Sequence, residues 1–356
     1  MKEVTLRDVA KEAGVSLATV SFALRNSPKI SLGKREHIQQ VAARMGYRQN
    51  PLVSASMARM RGSRDTKYQA TLGWVNDMPN AEHWHGQKMF LGARARAEEL
   101  GYVLDELFLE EIRHEEPQAN VRRFCQIARA RGIHGVILPE QYRIHHVQEE
   151  WPDMAVVVIG NVAGELHHSR MKRQYSYCPF HNVVPDTFTN LRKAYDALYL
   201  QGYRRIGLAS SPWFNWHSDN HLRAAVLEFN QLAPVSGRVP PFLDDDIGKK
   251  VPDAFAQWLI RSRPDVVLAT HFAVAGWLKQ LKFKIPDDLG LAHTNLGPLE
   301  RGWSGINQRD ELIGASAVDL LSAHLQRNER GIPLHAKRMA VQGCWMDGQT
   351  TRGAMV

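Results

Sequence analysis

The spacing of apolar residues changes period at about residue 70, and that change requires two differently built parts. Before it, Leu6, Val9, Ala10 and Ala13 recur at helical intervals, as do Val20, Ala23 and Leu24, and then Ile38, Val41, Ala42 and Met45. Thr5-Leu6-Arg7-Asp8 fits a capping box that opens the first helix, and Gly14 supplies the permissive backbone that ends it. Val15 is a plug, Ser16 caps a second helix over about residues 16–24, and a third runs from near Ser31 to Gly46, with Tyr47 closing the core. Helix, short turn containing glycine, helix and supporting helix make a helix-turn-helix, whose second helix lies in the major groove of DNA.

Charge points the same way. Residues 1–64 hold twelve Lys/Arg and four acidic residues, a surplus equal to the whole chain's net charge of +8. The other 292 residues carry 33 groups of each sign. A basic module joined to an electrically neutral body is the footprint of a polyanion binder.

After residue 70, apolar strands alternate with amphipathic helices. The strands are expected at 70–75, 102–104, 135–138, 155–159, 206–209, 266–269 and 289–293. Helices fall at 86–100, 121–131, 187–201, about 219–232, 253–261 and 274–281. Such alternation predicts parallel sheets covered on both faces, in two βα sets and hence two subdomains. Ligands in such folds sit beyond the carboxyl ends of the strands.

Several classes of function lose support on sequence alone. No stretch has the roughly 18 uninterrupted apolar residues of a membrane span, so no membrane association is expected. The opening MKEVTLRDVAKEAG lacks an apolar export core, and three scattered cysteines, Cys125, Cys178 and Cys344, suit a reducing compartment. A cytoplasmic protein is expected. The phosphate-loop, H-E-x-x-H, G-x-S-x-G and dinucleotide fingerprints are missing. His217-x-x-x-His221 has metal-ligand spacing for one helix and is the only support for a metal-assisted hydrolase; a solute-binding protein of the same α/β fold is the other rival. The expectation is no enzyme, no cofactor and no metal.

The sequence TLRDVAKEAGVSLATVSFALRNSPKISLGKREHIQQVAARMGYRQNP resembles the DNA-binding headpiece of the lactose/galactose repressor family of bacterial transcriptional regulators. The likeness is carried by Leu6-x-Asp8-Val9-Ala10, Ala13-Gly14-Val15-Ser16, Thr19-Val20-Ser21, Ile30-Ser31, Arg35 and Gly46-Tyr47. It implies that Leu17, Ala18 and Phe22, the first, second and sixth positions after the capping serine, read bases. All three are apolar, able to touch a thymine methyl and unable to make bidentate bonds to purines. Specificity then rests partly on Ser16, Arg25 and DNA shape, while Thr5, Thr19, Ser21, Lys34 and Arg35 position phosphates. Residues 50–61 match the family's hinge, which wedges into the minor groove. Met57 is the first candidate wedge and Leu52 the second.

The likeness continues through Arg131–Leu138, Gly202–Gly207, Pro264–Val267, Ile285–Asp288, Gly305–Gln308 and Trp345–Thr350. It implies a periplasmic-binding-protein-like sensor of two doubly wound parallel-sheet subdomains behind the all-α headpiece. The expected boundaries are 1–49 for the headpiece, 50–67 for hinge and linker, and 68–356 for effector binding and dimerisation. Within the last, subdomain one is 68–160 plus 300–332 and subdomain two 161–299 plus 333–350. The family's usual effector-binding Asn-Asp pair is replaced by Thr270-His271, a later Asp by Asn295, and its usual Arg is matched only loosely by Arg223. The cleft candidates are Asp77, Trp84, Trp213, Trp216, Arg223, His271 and Asn295, a set whose tryptophans can stack on a sugar. The implied partners are double-stranded operator DNA, a small-molecule effector of carbohydrate class and a second copy of the chain. A ligand-responsive repressor on a pseudo-palindromic operator is the implied role.

Overall fold

The computed structural model describes residues 6–24, 30–45, 70–76, 84–108, 117–139, 154–160, 163–164, 175–176, 178–244, 250–297 and 302–353. The first three helices, α1 (Leu6–Glu12), α2 (Leu17–Leu24) and α3 (Leu32–Arg44), follow the apolar spacing. Val9, Val20, Ala23 and Ile38 are fully buried and Val41 and Ala42 nearly so, with Ala13, Val15, Leu24 and Met45 packed around them. Gly14 takes the left-handed conformation (φ +63°) that lets the chain turn between α1 and α2. Val15 N–H then closes on the Ala10 carbonyl at 3.0 Å.

The body alternates as expected. In chain order come β1 (Ala70–Asn76), α4 (Trp84–Glu99), β2 (Tyr102–Phe108), α5 (Pro117–Ala130), β3 (Ile133–Leu138) and β4 (Ala155–Ile159). The two short strands β5 (Ala163–Gly164) and β6 (Tyr175–Ser176), β7 (His181–Pro185), α6 (Thr187–Leu200) and β8 (Ile206–Ser210) follow. Next are α7 (Pro212–His217), α8 (His221–Leu232), β9 (Phe242–Leu243), α9 (Asp253–Ser262), β10 (Val266–Ala269), α10 (Ala273–Gln280) and β11 (Gly290–His293). The last elements are β12 (Ser304–Asn307), α11 (Asp310–Arg327), β13 (Arg338–Val341) and β14 (Cys344–Met346).

Two six-stranded sheets result. The first has the order β13-β7-β4-β3-β1-β2 and every pairing in it is parallel. The second has the order β14-β12-β11-β10-β8-β9, parallel except for β14 against β12. Their central strands are buried on both faces, which is why they read as continuous apolar runs such as Ala155–Ile159.

The sheets divide the chain differently from the expected boundaries. His181–Pro185 and Arg338–Val341 were assigned to the second subdomain, yet they hydrogen-bond in the first sheet. Ser304–Asn307 was assigned to the first and pairs in the second. The strand ends therefore shift the crossings to Pro185–Thr187, Asn307–Asp310 and Val341–Cys344. These crossings are tied together: Asp186 N–H donates to Val341 O (2.8 Å), Gly343 N–H to Asn190 Oδ1 (2.7 Å) and Lys193 Nζ to Gly343 O (2.9 Å).

The helix expected at about 219–232 is α8, and a short helix not expected from the sequence, α7, precedes it. Asp219 and Asn220, both left-handed (φ +56° and +62°), separate α7 from α8. His217 ends α7 and His221 starts α8, so their spacing is not that of two ligands on one helix, and the hydrolase reading loses its support.

Candidate functional sites

The headpiece presents its second helix through a capped start. Ser16 Oγ accepts the Thr19 N–H at 3.2 Å and the two hydroxyls lie 2.8 Å apart, so both expected polar contacts are engaged in shaping the helix end. Leu17, the first helical residue, is 45% exposed, an outward apolar side chain that no core demands. Phe22 is half-buried while its neighbour Ala23 is sealed inside. Lys34 is exposed and Arg35 half-buried in the first turn of α3. Gln39 Nε2 donates to Ala23 O at 3.0 Å, fixing α3 against the end of α2. Thr5, Arg25, Leu52 and Met57, like the side chains of Ala18 and Ser21, lie outside the described residues.

In the body, strand order reverses on either side of β1 in the first sheet and of β8 in the second. The crevice at such a switch point, beyond the carboxyl strand ends, is where open α/β sheets take ligands. In the second sheet that point lies between β8 and β10, where Thr270 Oγ1 donates to Ser210 Oγ at 3.0 Å. Rings collect there because α7 begins directly after β8 and α10 after β10. Trp213 and His217 stack obliquely with centroids 3.6 Å apart, Trp213 meets Phe214 edge-on at 4.9 Å, and His271 stacks on Phe272 at 4.4 Å. Phe214 links the two groups, 6.5 Å from His271. Trp216 meets His217 edge-on at 4.9 Å, and its buried Nε1 finds no hydrogen-bond acceptor among the described residues.

Of the cleft candidates, then, Trp213, Trp216 and His271 come together with His217, Phe214 and Phe272. Asn295 lies after β11, where its backbone is fastened to His293 Nδ1, whose contact with Asn295 O is 2.6 Å. Arg223 does not join them. Its side chain is exposed on α8, beyond the break, and its N–H donates to Asn215 Oδ1. Asp77 and the Trp84 side chain lie outside the described residues. Sequence reading passed over Phe214 and Phe272. Phe272 is 54% exposed at a helix start just after a strand, and that position could have marked it.

A further titratable cluster sits at the opposite, amino-terminal end of the first sheet. His181, His324 and Glu329 each bring one potential ligand atom within 4.8 Å of the others. The lone pairs do not converge on a metal, however. His181 Nδ1 accepts the Lys337 N–H at 2.8 Å, which leaves the proton on Nε2, and the two imidazoles are stacked 4.0 Å apart and 5° from parallel. Glu329 is engaged by His324 Nδ1 and by Arg327 Nε at 2.6 Å. The cluster is a neutral ring stack closed by an ion pair. Burial, with help from the neighbouring His324 and the positive charge of Lys337, holds His181 at about 4. Hydrogen bonding from Arg327 holds the Glu329 carboxyl at about 2.

Both shifts disfavour protonation of the folded chain, so stability is complete above pH 6.5 and falls on acidification. His181 contributes between about 6.5 and 4, and Glu329 between about 4.5 and 2. A loss on the order of 2 kcal/mol is expected between pH 7 and pH 4 from the histidine. Urea unfolding against pH should show this slope in the native chain and a flatter one in His181→Gln, whose amide cannot take up a proton in that range.

Residues 5–50 match the family model described as "Bacterial regulatory proteins, lacI family". Over 52 residues the chain is 49% identical to the HTH-type transcriptional regulator GalS of Salmonella typhimurium, 15% of each chain. Over 212 residues it is 24% identical to the HTH-type transcriptional repressor CytR of Escherichia coli, covering 58% of this chain and 54% of that one. The alignment thus spans about half of CytR and a smaller share of GalS. Among solved structures, the lac repressor dimer bound to operator and an anti-inducer aligns with a TM-score of 0.54 at 17% identity, covering 99% of this chain and 100% of that one. The transcriptional regulator CelR in complex with cellobiose gives 0.55 at 18%, covering 98% and 100%. These likenesses fix the fold of the body. At the front of the chain, residues 5–50 are similar to the DNA-binding part of the lacI family of bacterial regulatory proteins, and there the core, cap and turn of a helix-turn-helix are all in place.

Proposed function

We propose that the chain is a ligand-responsive transcriptional repressor, not an enzyme, that binds a pseudo-palindromic operator as a homodimer in the cytoplasm. The observation that carries this reading is the junction of two unlike modules. A basic helix-turn-helix presents Leu17 to solvent, and a neutral two-subdomain body gathers rings at a sheet switch point. Leu17, Ala18 and Phe22 face base edges, with Lys34 and Arg35 on phosphates and Met57 or Leu52 wedged in the minor groove. The relative crystallised on operator DNA is a dimer, and one of the structural neighbours holds cellobiose. Trp213, Trp216 and His271 suit a carbohydrate, offering ring faces to its apolar side and a hydrogen-bonding edge to its hydroxyls. No helix among the described residues is long and apolar enough to cross a membrane. Ligand in the cleft turns one subdomain against the other and alters the spacing of the two DNA-reading arms.

Selection from random duplexes with the full chain should recover an inverted repeat. The same selection with residues 62–356 should recover nothing, because the groove reader and its positive charge are gone. Failure of the full chain to enrich any two-fold-symmetric site would overturn the proposal.

A further inference from the structure

Ion pairs in the body mostly reinforce a single unit. Arg96 with Asp319 at 2.7 Å, Lys88 with Glu311 at 3.4 Å and Arg327 with Glu329 all stay within the first subdomain. The contact of Arg338 with Asp219 is different: Arg338 opens β13 of the first sheet, whereas Asp219 lies in the second subdomain. We infer that Arg338 and Asp219 form an interdomain latch that holds the two α/β subdomains in one relative orientation.

The surroundings of both residues fit that role. Asp219 occupies the break between α7 and α8, where it and Asn220 are both left-handed, a conformation that costs side-chain-bearing residues roughly 1 kcal/mol or more each. The break is braced from inside. Asn215 Nδ2 donates to Asn220 Oδ1 at 2.8 Å, Asn215 Oδ1 accepts the Arg223 N–H at 3.0 Å, and Ser218 Oγ donates to Asn215 O at 2.8 Å. The braced turn therefore holds the half-buried Asp219 carboxylate against Arg338. Arg338 stands three residues before the crossing at Val341–Cys344, so a turn about the crossings moves its guanidinium relative to Asp219. Close by, strand β6 from the first subdomain's chain rests against α7, the helix that carries Trp213 and Trp216. Any ligand that rotates the subdomains must break or reseat this pair, which makes it a bias on the conformational equilibrium.

Hydrogen exchange of the full chain, with no ligand and no DNA, tests the latch independently of the regulator reading. The probes are the Asp186 and Gly343 amides, which hydrogen-bond across the crossings. Asp219→Asn tolerates the left-handed backbone and removes the charge; Arg338→Gln removes the partner's. Each should speed exchange at those amides about threefold to fivefold, the scale of a partly exposed ion pair. Core amides of β10 and α11 should not change. The double variant should match the singles, and high salt should bring the native chain towards them. Exchange at the native rate in either single variant, or effects that multiply in the double, would overturn the latch.

Discussion

Replacing Gly314 with alanine should destabilise the chain by about 2–4 kcal/mol, although alanine is the better helix former by about 1 kcal/mol. Helices α4 and α11 cross backbone to backbone. A Cβ on Gly314 would land on the Met89 carbonyl, and one on Gly92 on the Glu311 carbonyl. No side chain can rotate away to make room, so the helices must separate. The separation would loosen Ala93, Ala97, Ile313 and Ala317, all fully buried at that seam. Overpacking of this kind draws on the same close packing that makes the seam stable. Gly276→Ala is the matched control, because its Cβ would enter open space on α10 and should leave stability unchanged or raise it slightly. The urea midpoint should fall in the first variant and stay level or rise slightly in the second. Equal midpoints would mean that the crossing is wider than described.

Exchanging Leu17→Gln, Ala18→Ser and Phe22→Arg together should redirect the chain to different duplexes. The change expected is about tenfold or more at each base pair whose reader gains a hydrogen-bonding group, the scale of about 1–3 kcal/mol for a good bidentate contact. Val20, Ala23 and Ile38 seal the headpiece from behind, so the swap leaves its core intact and thermal unfolding should barely move. The salt dependence of binding should steepen slightly with the added arginine, while Lys34 and Arg35 go on serving phosphates. Selection with the variant should return a new consensus at symmetric positions. If it returned the native consensus, base reading would have to be moved off α2.

Much of this was legible before any coordinates. The headpiece was readable because each of its signals is local: a glycine at the turn, a serine at the cap, an apolar residue every third or fourth position. The strands were readable because parallel strands buried on both faces leave long runs such as Val266–Ala269. Sheet membership was not. His181–Pro185 and Ser304–Asn307 are short and partly polar, so neither announces itself as a strand, and only long-range pairing decides which sheet takes each. The short helix α7 was not foreseen, because six residues leave no periodic signal and the left-handed pair that ends it is held by Asn215, a residue whose role depends on three dimensions. Trp213 was a candidate because tryptophan can stack on a sugar, and His271 because it stands where the resembled family carries a ligand pair; both lie just after strands. Arg223, matched only loosely to the resembled family's arginine, lies inside α8, two residues past its start.

The route of the chain has a consequence for how it is made. The first sheet begins with residues 70–76 but acquires its outermost strand at 338–341 and its covering helix at 310–327, after every parallel strand of the second sheet has been synthesised. On the ribosome the early strands must therefore wait, with one apolar face covered only in part by α4, until almost the whole polypeptide has emerged. Neither half can mature alone, and a nascent chain arrested near residue 300 should engage chaperones, whereas one released past residue 341 should not.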